Sequence, residues 1–182
     1  MDLFDDRKTY DFDTIQNIAE NEELEFKGAK GGFPGSFWET YSAFANTNGG
    51  ILILGVKEKH GHLKSDNLSA TDIDKLQKEL WSGVANRNTI NLNLLNNDDV
   101  RPIPIKDSYV LIIRVPRANR DQRPVHVGHD PYSGTYRRGY EGDFKCTRSE
   151  VQRMFADADL TRTTDKRILK GCCRKSIESF RC

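Results

Sequence analysis

The sequence predicts an α+β domain in which a mixed, largely antiparallel sheet is packed with helices. Three observations predict it. A helix-period segment over 36–48 runs through Gly49 and Gly50 straight into the apolar run Ile51–Val56, so a helix is joined tightly to a buried strand. Short runs of apolar residues separated by turn signals fill 100–145, as antiparallel pairs require. Two further amphipathic segments, 69–85 and 147–158, supply helices to cover the sheet.

Each element has a local reason. In residues 23–27 Leu24 and Phe26 alternate with Glu23, Glu25 and Lys27, which reads as a half-buried strand after a short helix. A glycine-rich loop follows and closes at Pro34. Ser36 and Glu39 have the spacing of a capping box, and Phe37, Trp38, Tyr41, Phe44 and Ala45 form one apolar face. Asn48-Gly49-Gly50 then ends the helix, because glycine takes the positive φ of a C-cap without steric cost. On that reading Gly50→Val should cripple folding. The strand after it fits a central position, with Lys57 and Glu58 at its C-terminal mouth.

Residues 59–66 read as a turn. The next helix carries Ile73, Leu76, Leu80 and Val84 on one side, with Thr71 and Asp74 at capping-box spacing near its start. Residues 90–95 alternate as a strand, and the asparagine-aspartate cluster 96–99 turns it. Residues 100–105 and 108–115 form a hairpin. Residues 123–127 and 134–139 are short strands around a Gly/Pro/Asp loop. Thr147 and Glu150 cap the last helix. The domain is expected over 12–158, with 159–182 a polar tail or the start of a further element.

A chain with 36% hydrophobic and 30% charged residues is a soluble globular chain with a modest core. No apolar run approaches the ~18 to 20 residues of a membrane helix. The charged N-terminus does not resemble a secretory leader, so cytoplasmic residence and no membrane partner are expected. With 28 basic and 27 acidic residues the net charge is +1, so a polyanion surface has to come from local clustering.

That clustering exists. Arg114, near the end of the last hairpin strand, is followed by Arg117, Arg120 and Arg123, and Arg137, Arg138 and Lys145 alternate with Tyr136, Tyr140 and Phe144. Arginine forks match phosphate oxygens and aromatic rings stack on bases. Glu20, Glu25 and Glu58 are a second constellation. If the first strand pairs beside the central one, Glu25 and Glu58 meet at one end of the sheet with Glu20 overhead. Such carboxylates are hard ligands suited to Mg²⁺ or Mn²⁺. The glycine pair belongs to no phosphate-binding motif, so no nucleotide cofactor is expected. Cys146, Cys172, Cys173 and Cys182 lack metal-site spacing and read as reduced, incidental thiols. His60 with His62, and His126 with His129, read as surface loop residues.

Residues 24–61, 110–127 and 134–158 together resemble the Schlafen-AlbA-like domain, found at the N-terminus of bacterial transcriptional regulators and helicase-related ATP-binding proteins. The resemblance implies a compact α+β fold and binding of DNA or RNA. In the Schlafen branch it also implies a metal-dependent endoribonuclease acting on structured RNA such as tRNA. Glu20, Glu25 and Glu58 fall on that branch's metal-holding positions, with Phe26-Lys27 following as expected and Lys27 placed to stabilise phosphate. The third acid is commonly aspartate there and is glutamate here, one methylene longer. Three readings follow: a nucleic-acid-binding module using Arg114, Arg117, Arg120, Arg123, Tyr136, Arg137, Arg138 and Lys145; the ribonuclease; and a protein-interaction or oligomerisation module. Self-association is left open.

Overall fold

The structure, a computed structural model, describes residues 24–159 apart from 60, 61, 106 and 141. The elements run β1 (Leu24–Lys27), α1 (Phe37–Asn46), β2 (Gly50–Leu54), β3 (Val56–Lys59), β4 (His62–Ser65), α2 (Ala70–Ala85), β5 (Val100–Ile105), β6 (Ser108–Val115), α3 (Pro131–Gly134), β7 (Tyr136–Gly139), β8 (Gly142–Lys145) and α4 (Arg148–Ala158). The main sheet has the order β1-β2-β6-β5, and β3–β4 and β7–β8 are separate hairpins. β1 lies parallel to β2, with Leu24 opposite Ile51 and Lys27 opposite Leu54, and the remaining pairs of that sheet are antiparallel. This is the predicted α+β arrangement of helices and mixed sheet.

The unbroken apolar run of β2 is explained by burial on both of its faces. Leu52 and Leu54 join Leu111, Ile113 and Val115 of β6 under Phe37, Tyr41, Phe44 and Ala45 of α1 and the Ile73/Leu76/Leu80/Val84 stripe of α2. Ile51 and Ile53 face the other way, with Ile103, Ile105, Val110 and Ile112, and with Val56 and Leu63 of the β3–β4 hairpin. Each fully buried aliphatic or Phe side chain stabilises the fold by about 1.5–3 kcal/mol.

Several local expectations are corrected. Ser36 is the N-cap of α1, but its side chain caps nothing. Its ψ of 4° does not aim the hydroxyl along the helix as an extended N-cap would, and Oγ instead accepts a hydrogen bond from Lys27 Nζ at 3.1 Å. Glu39 is drawn off to accept from the Tyr136 hydroxyl at 3.0 Å. Helix α2 starts where expected, but its capping box is Ser69 with Asp72 rather than Thr71 with Asp74. The Thr147–Glu150 box of α4 is present as expected.

Of the two glycines after α1, Gly49 carries the positive φ, +80°, while Gly50 opens β2. A Cβ on Gly49 would also lie 2.9 Å from the Val115 carbonyl oxygen. Residues 59–66 are not a simple turn, since β3 and β4 pair there from Val56–Ser65 to Lys59–His62. Residues 91–96 form no strand. Side chains hold that segment in place of a ladder: the Tyr41 hydroxyl accepts from Leu94 N at 2.8 Å and donates to Leu92 O, and Asn91 exchanges hydrogen bonds with His126 N and Pro124 O. Burial pushes the Tyr41 hydroxyl pKa up to about 12, so it stays protonated for this task. Residues 123–127 likewise make only isolated bridges, and a strand not foreseen as such, β8, pairs with β7. The short helix and tail expected before 24 and after 159 lie outside the described residues.

Candidate functional site

Gly55 sets the site. Its φ of +97° turns the chain out of β2 into β3, and its N–H donates to the Lys27 carbonyl at the end of β1. The turn carries Lys57 and Glu58 away from the main sheet and back beside the edge strand. Glu25 and Glu58 consequently line one cleft of about 490 Å³ together with Leu24, Phe26 and Lys57. The premise that β1 pairs beside β2 holds. Glu20 lies outside the described residues.

Glu25 is already engaged on both oxygens. Oε1 stands 3.4 Å from Lys27 Nζ and Oε2 3.0 Å from Arg138 Nη2. Arg138 in turn binds Asp143 at 2.9 Å, and Asp143 accepts from Thr40 Oγ1 at 2.6 Å. Its guanidinium lies 5.2 Å from the Phe44 ring centroid, which sets a cation over an aromatic face. Burial works against the Arg138 charge, but Asp143 and Glu25 outweigh it and hold the pKa above the ordinary arginine value. Among the described residues no group of three His, Cys, Asp or Glu side chains stands ready to hold a metal ion. Of the three expected metal-holding acids the described residues include two, Glu25 and Glu58, and Glu25 is already neutralised by two cations, so these two alone do not complete a site for Mg²⁺ or Mn²⁺.

The β7–β8 hairpin is docked by buried polar contacts. Asn46, 6% exposed, donates from Nδ2 to Val125 O at 2.7 Å and Tyr136 O at 2.9 Å, while Oδ1 accepts from Val125 N. Ser42 Oγ donates to Val125 O and accepts from Tyr136 N. An asparagine and a serine on the buried side of α1 were the available signal, and sequence reasoning passed over them.

The expected phosphate and base contacts divide in three. Tyr136 is half-buried and donates to Glu39, with burial first and Glu39 second raising its pKa; Lys145 is exposed, its ammonium 5.8 Å from the Tyr136 ring centroid. On the hairpin's outer side Arg137 pairs with Glu150 at 2.9 Å and sits 5.8 Å from the Phe144 ring, which is 44% exposed. Tyr140, at the tip, is fully exposed. Arg138 is the inward member and holds Glu25.

The arginine run is elsewhere. Val115 pairs with Gly50 at the start of β2, whereas Glu58 lies beyond the other end, past Leu54. Five strand residues separate these ends, about 13 Å. There Arg114 is half-buried opposite Ile51, Arg117 is exposed, Arg120 pairs with Asp157 at 3.2 Å, and Arg123 is half-buried. Through Arg138 the hairpin therefore meets Glu25 directly, whereas the arginine run begins at the end of β2 remote from Glu58.

Cys146 is buried, and burial pushes its thiol up to about 11, in keeping with an inert cysteine. The other cysteines and His60 lie outside the described residues. His126 is half-buried rather than on the surface, and burial lowers its pKa. No helix among the described residues is long and apolar enough to cross a membrane.

Residues 20–143 match the family described as Schlafen, AlbA_2. A solution structure of the N-terminal domain of a Nitrosomonas europaea protein, described as related to the ATP-dependent DNA helicase RecG, is similar. It superposes with a TM-score of 0.50 at 26% identity over 75% of this chain and 92% of that one. The DIP2311 protein of Corynebacterium diphtheriae gives a TM-score of 0.48 at 20% identity, over 74% of this chain and 24% of that one. No curated protein matches the sequence significantly.

Proposed function

Because the chain belongs to the Schlafen AlbA_2 family, we propose that it binds nucleic acid, DNA or RNA, with the β7–β8 hairpin as a contact edge. One observation carries the reading: the hairpin presents Tyr140 and Phe144 to solvent with Arg137 and Lys145 beside them. Stacking a base on an exposed ring contributes about 1–3 kcal/mol, and neighbouring cations add backbone attraction. Arg138 and Lys27 serve differently. Lys27 pairs with Glu25 within β1, and Arg138, held between Asp143 and Glu25, fixes the hairpin against β1. The similarity to the N-terminal domain of a helicase-related protein supports the same reading.

The test is a fluorescence titration of the full chain with labelled single-stranded and duplex RNA and DNA over a range of salt. Affinity falls with salt, with a log–log slope of about −0.7 to −0.9 per phosphate contact. Binding insensitive to salt would instead indicate a protein-interaction or oligomerisation module.

The second reading is the metal-dependent endoribonuclease, favoured by the common cleft of Glu25 and Glu58. It requires Glu20 or another donor to complete a metal site that the described residues do not make.

A further inference from the structure

Beside the carboxylate cleft lies a second cavity, about 400 Å³, lined by Lys30, Lys57, Lys64, Ser65, Asp66 and Asn67. Lys57 lines both. Three lysines and one aspartate thus line one hollow, and that carboxylate is committed to the fold. Asp66, 8% exposed, accepts from Ala29 N at 2.7 Å and Lys30 N at 3.2 Å through Oδ2, and pairs with Lys57 at 3.2 Å through Oδ1. Burial favours its protonation, but the Ala29 N–H, Lys57 and the Lys30 N–H together keep its pKa below the ordinary carboxylate value.

Asp66 therefore ties the loop after β1 to the end of β4, which brings Lys30 of the loop and Lys64 of β4 into the lining of one hollow. Among the described residues neither lysine has an ion-pair partner. Two lysines without an ion-pair partner lining one hollow, with the Lys57–Asp66 pair beside them, make a locally cationic surface that attracts an anion with several oxygens. The adjoining cleft, rimmed by Glu25 and Glu58, repels one. Glu25 is in turn bonded to Arg138 of the hairpin, so the lysine hollow adjoins the acidic cleft and the cleft adjoins the hairpin.

We propose that the Lys30–Lys57–Lys64 hollow is a subsite for the phosphodiester backbone of a nucleic acid whose bases reach the β7–β8 hairpin. The assignment rests on the nucleic-acid reading and adds to it a site on the β3–β4 hairpin, far along the sheet from the arginine run. Lys30 and Lys64 make the direct phosphate contacts. Lys57 stays paired to Asp66 and contributes field.

The experiment compares three forms of the full chain: wild type, Lys30→Gln/Lys64→Gln, and Lys75→Gln/Lys78→Gln on α2 as a control of equal charge. Each is titrated with the same labelled RNA and DNA strands over a range of salt, and circular dichroism and melting confirm equal folding. All four substituted lysines are exposed. The hollow variant binds at least about tenfold more weakly, and its log–log salt slope is shallower by about 1.4 to 1.8, two contacts' worth. The control keeps the wild-type affinity and slope. Wild-type binding that the hollow variant reproduces would overturn the subsite and spare the hairpin reading. Equal losses in both variants would overturn it in favour of diffuse charge. A wild type that binds no nucleic acid removes the parent reading and the subsite together.

Discussion

The Arg138 guanidinium meets the Glu25 carboxylate at 3.0 Å across 113 residues of chain, and this contact joins the outer hairpin to the edge strand of the sheet. Arg138 is 14% exposed and Glu25 29%, so the pair is only partly shielded from solvent. A buried pair broken on one side costs about 3–5 kcal/mol. With partial exposure, Arg138→Met should cost about 2–3 kcal/mol, since Glu25 keeps Lys27 but Asp143 loses its cation. Denaturant unfolding measures it, and a loss of less than about 0.5 kcal/mol, the size of an ordinary surface effect, would show the pair to be incidental.

Gly49→Val is expected to be the damaging substitution at the α1–β2 junction. It forces a β-branched residue to φ +80° and a Cβ to within 3.0 Å of Arg117 N. The left-handed conformation alone costs about 1–2 kcal/mol, and the clash adds to it. Gly50→Val lacks that strain and should melt measurably higher than Gly49→Val. The reverse order would refute this placing of the turn.

Asn46→Ala leaves the Val125 N–H and the Tyr136 carbonyl without their side-chain partner, while the Val125 carbonyl keeps Ser42 Oγ. Each unsatisfied buried group costs about 1–3 kcal/mol, so a total loss of about 2 kcal/mol or more is expected. Hydrogen exchange at residues 136–145 should rise with it, because the hairpin's anchorage loosens. Unchanged exchange there would place the hairpin's attachment elsewhere.

Asp66 gives the fold an acid dependence. Its pKa is lower folded than unfolded, so below about pH 4 the unfolded chain holds the additional proton. The stability it contributes is complete above that pH and is lost as pH falls through the folded value. Asp66→Asn should lower neutral stability by about 1–2 kcal/mol and flatten the acid limb of a stability–pH curve. An identical acid limb in the variant would assign the dependence to other carboxylates.

Labelled tRNA incubated with Mn²⁺ or Mg²⁺ separates the two functional readings. Cleavage that Glu25→Gln abolishes is the outcome the ribonuclease reading demands. Cleavage indifferent to that substitution excludes the carboxylate mechanism, and intact tRNA in both metals leaves backbone binding alone.

Much of this fold is legible in the chain because its signals are local. The period of Phe37, Tyr41 and Phe44 marks the face of α1, the run Ile51–Leu54 marks a strand buried on both sides, and Thr147 with Glu150 marks the start of α4. Residues 90–95 misled because alternation alone does not supply a neighbouring strand; Tyr41 and Asn91 satisfied the backbone instead.

The sequence by itself determined where α1, α2, α4, β1, β2, β5 and β6 lie, that Glu25 and Glu58 come beside one another once β1 pairs with β2, and which stretches are rich in arginine. Only the tertiary structure decided which of those charges remain for a ligand. Arg138 is spent on Glu25 and Asp143, while Lys30 and Lys64 are drawn together by Asp66 from segments some 34 residues apart. The reason is physical: helix and strand propensities act over a few residues, but whether an ion is neutralised depends on what folding brings within about 4 Å of it.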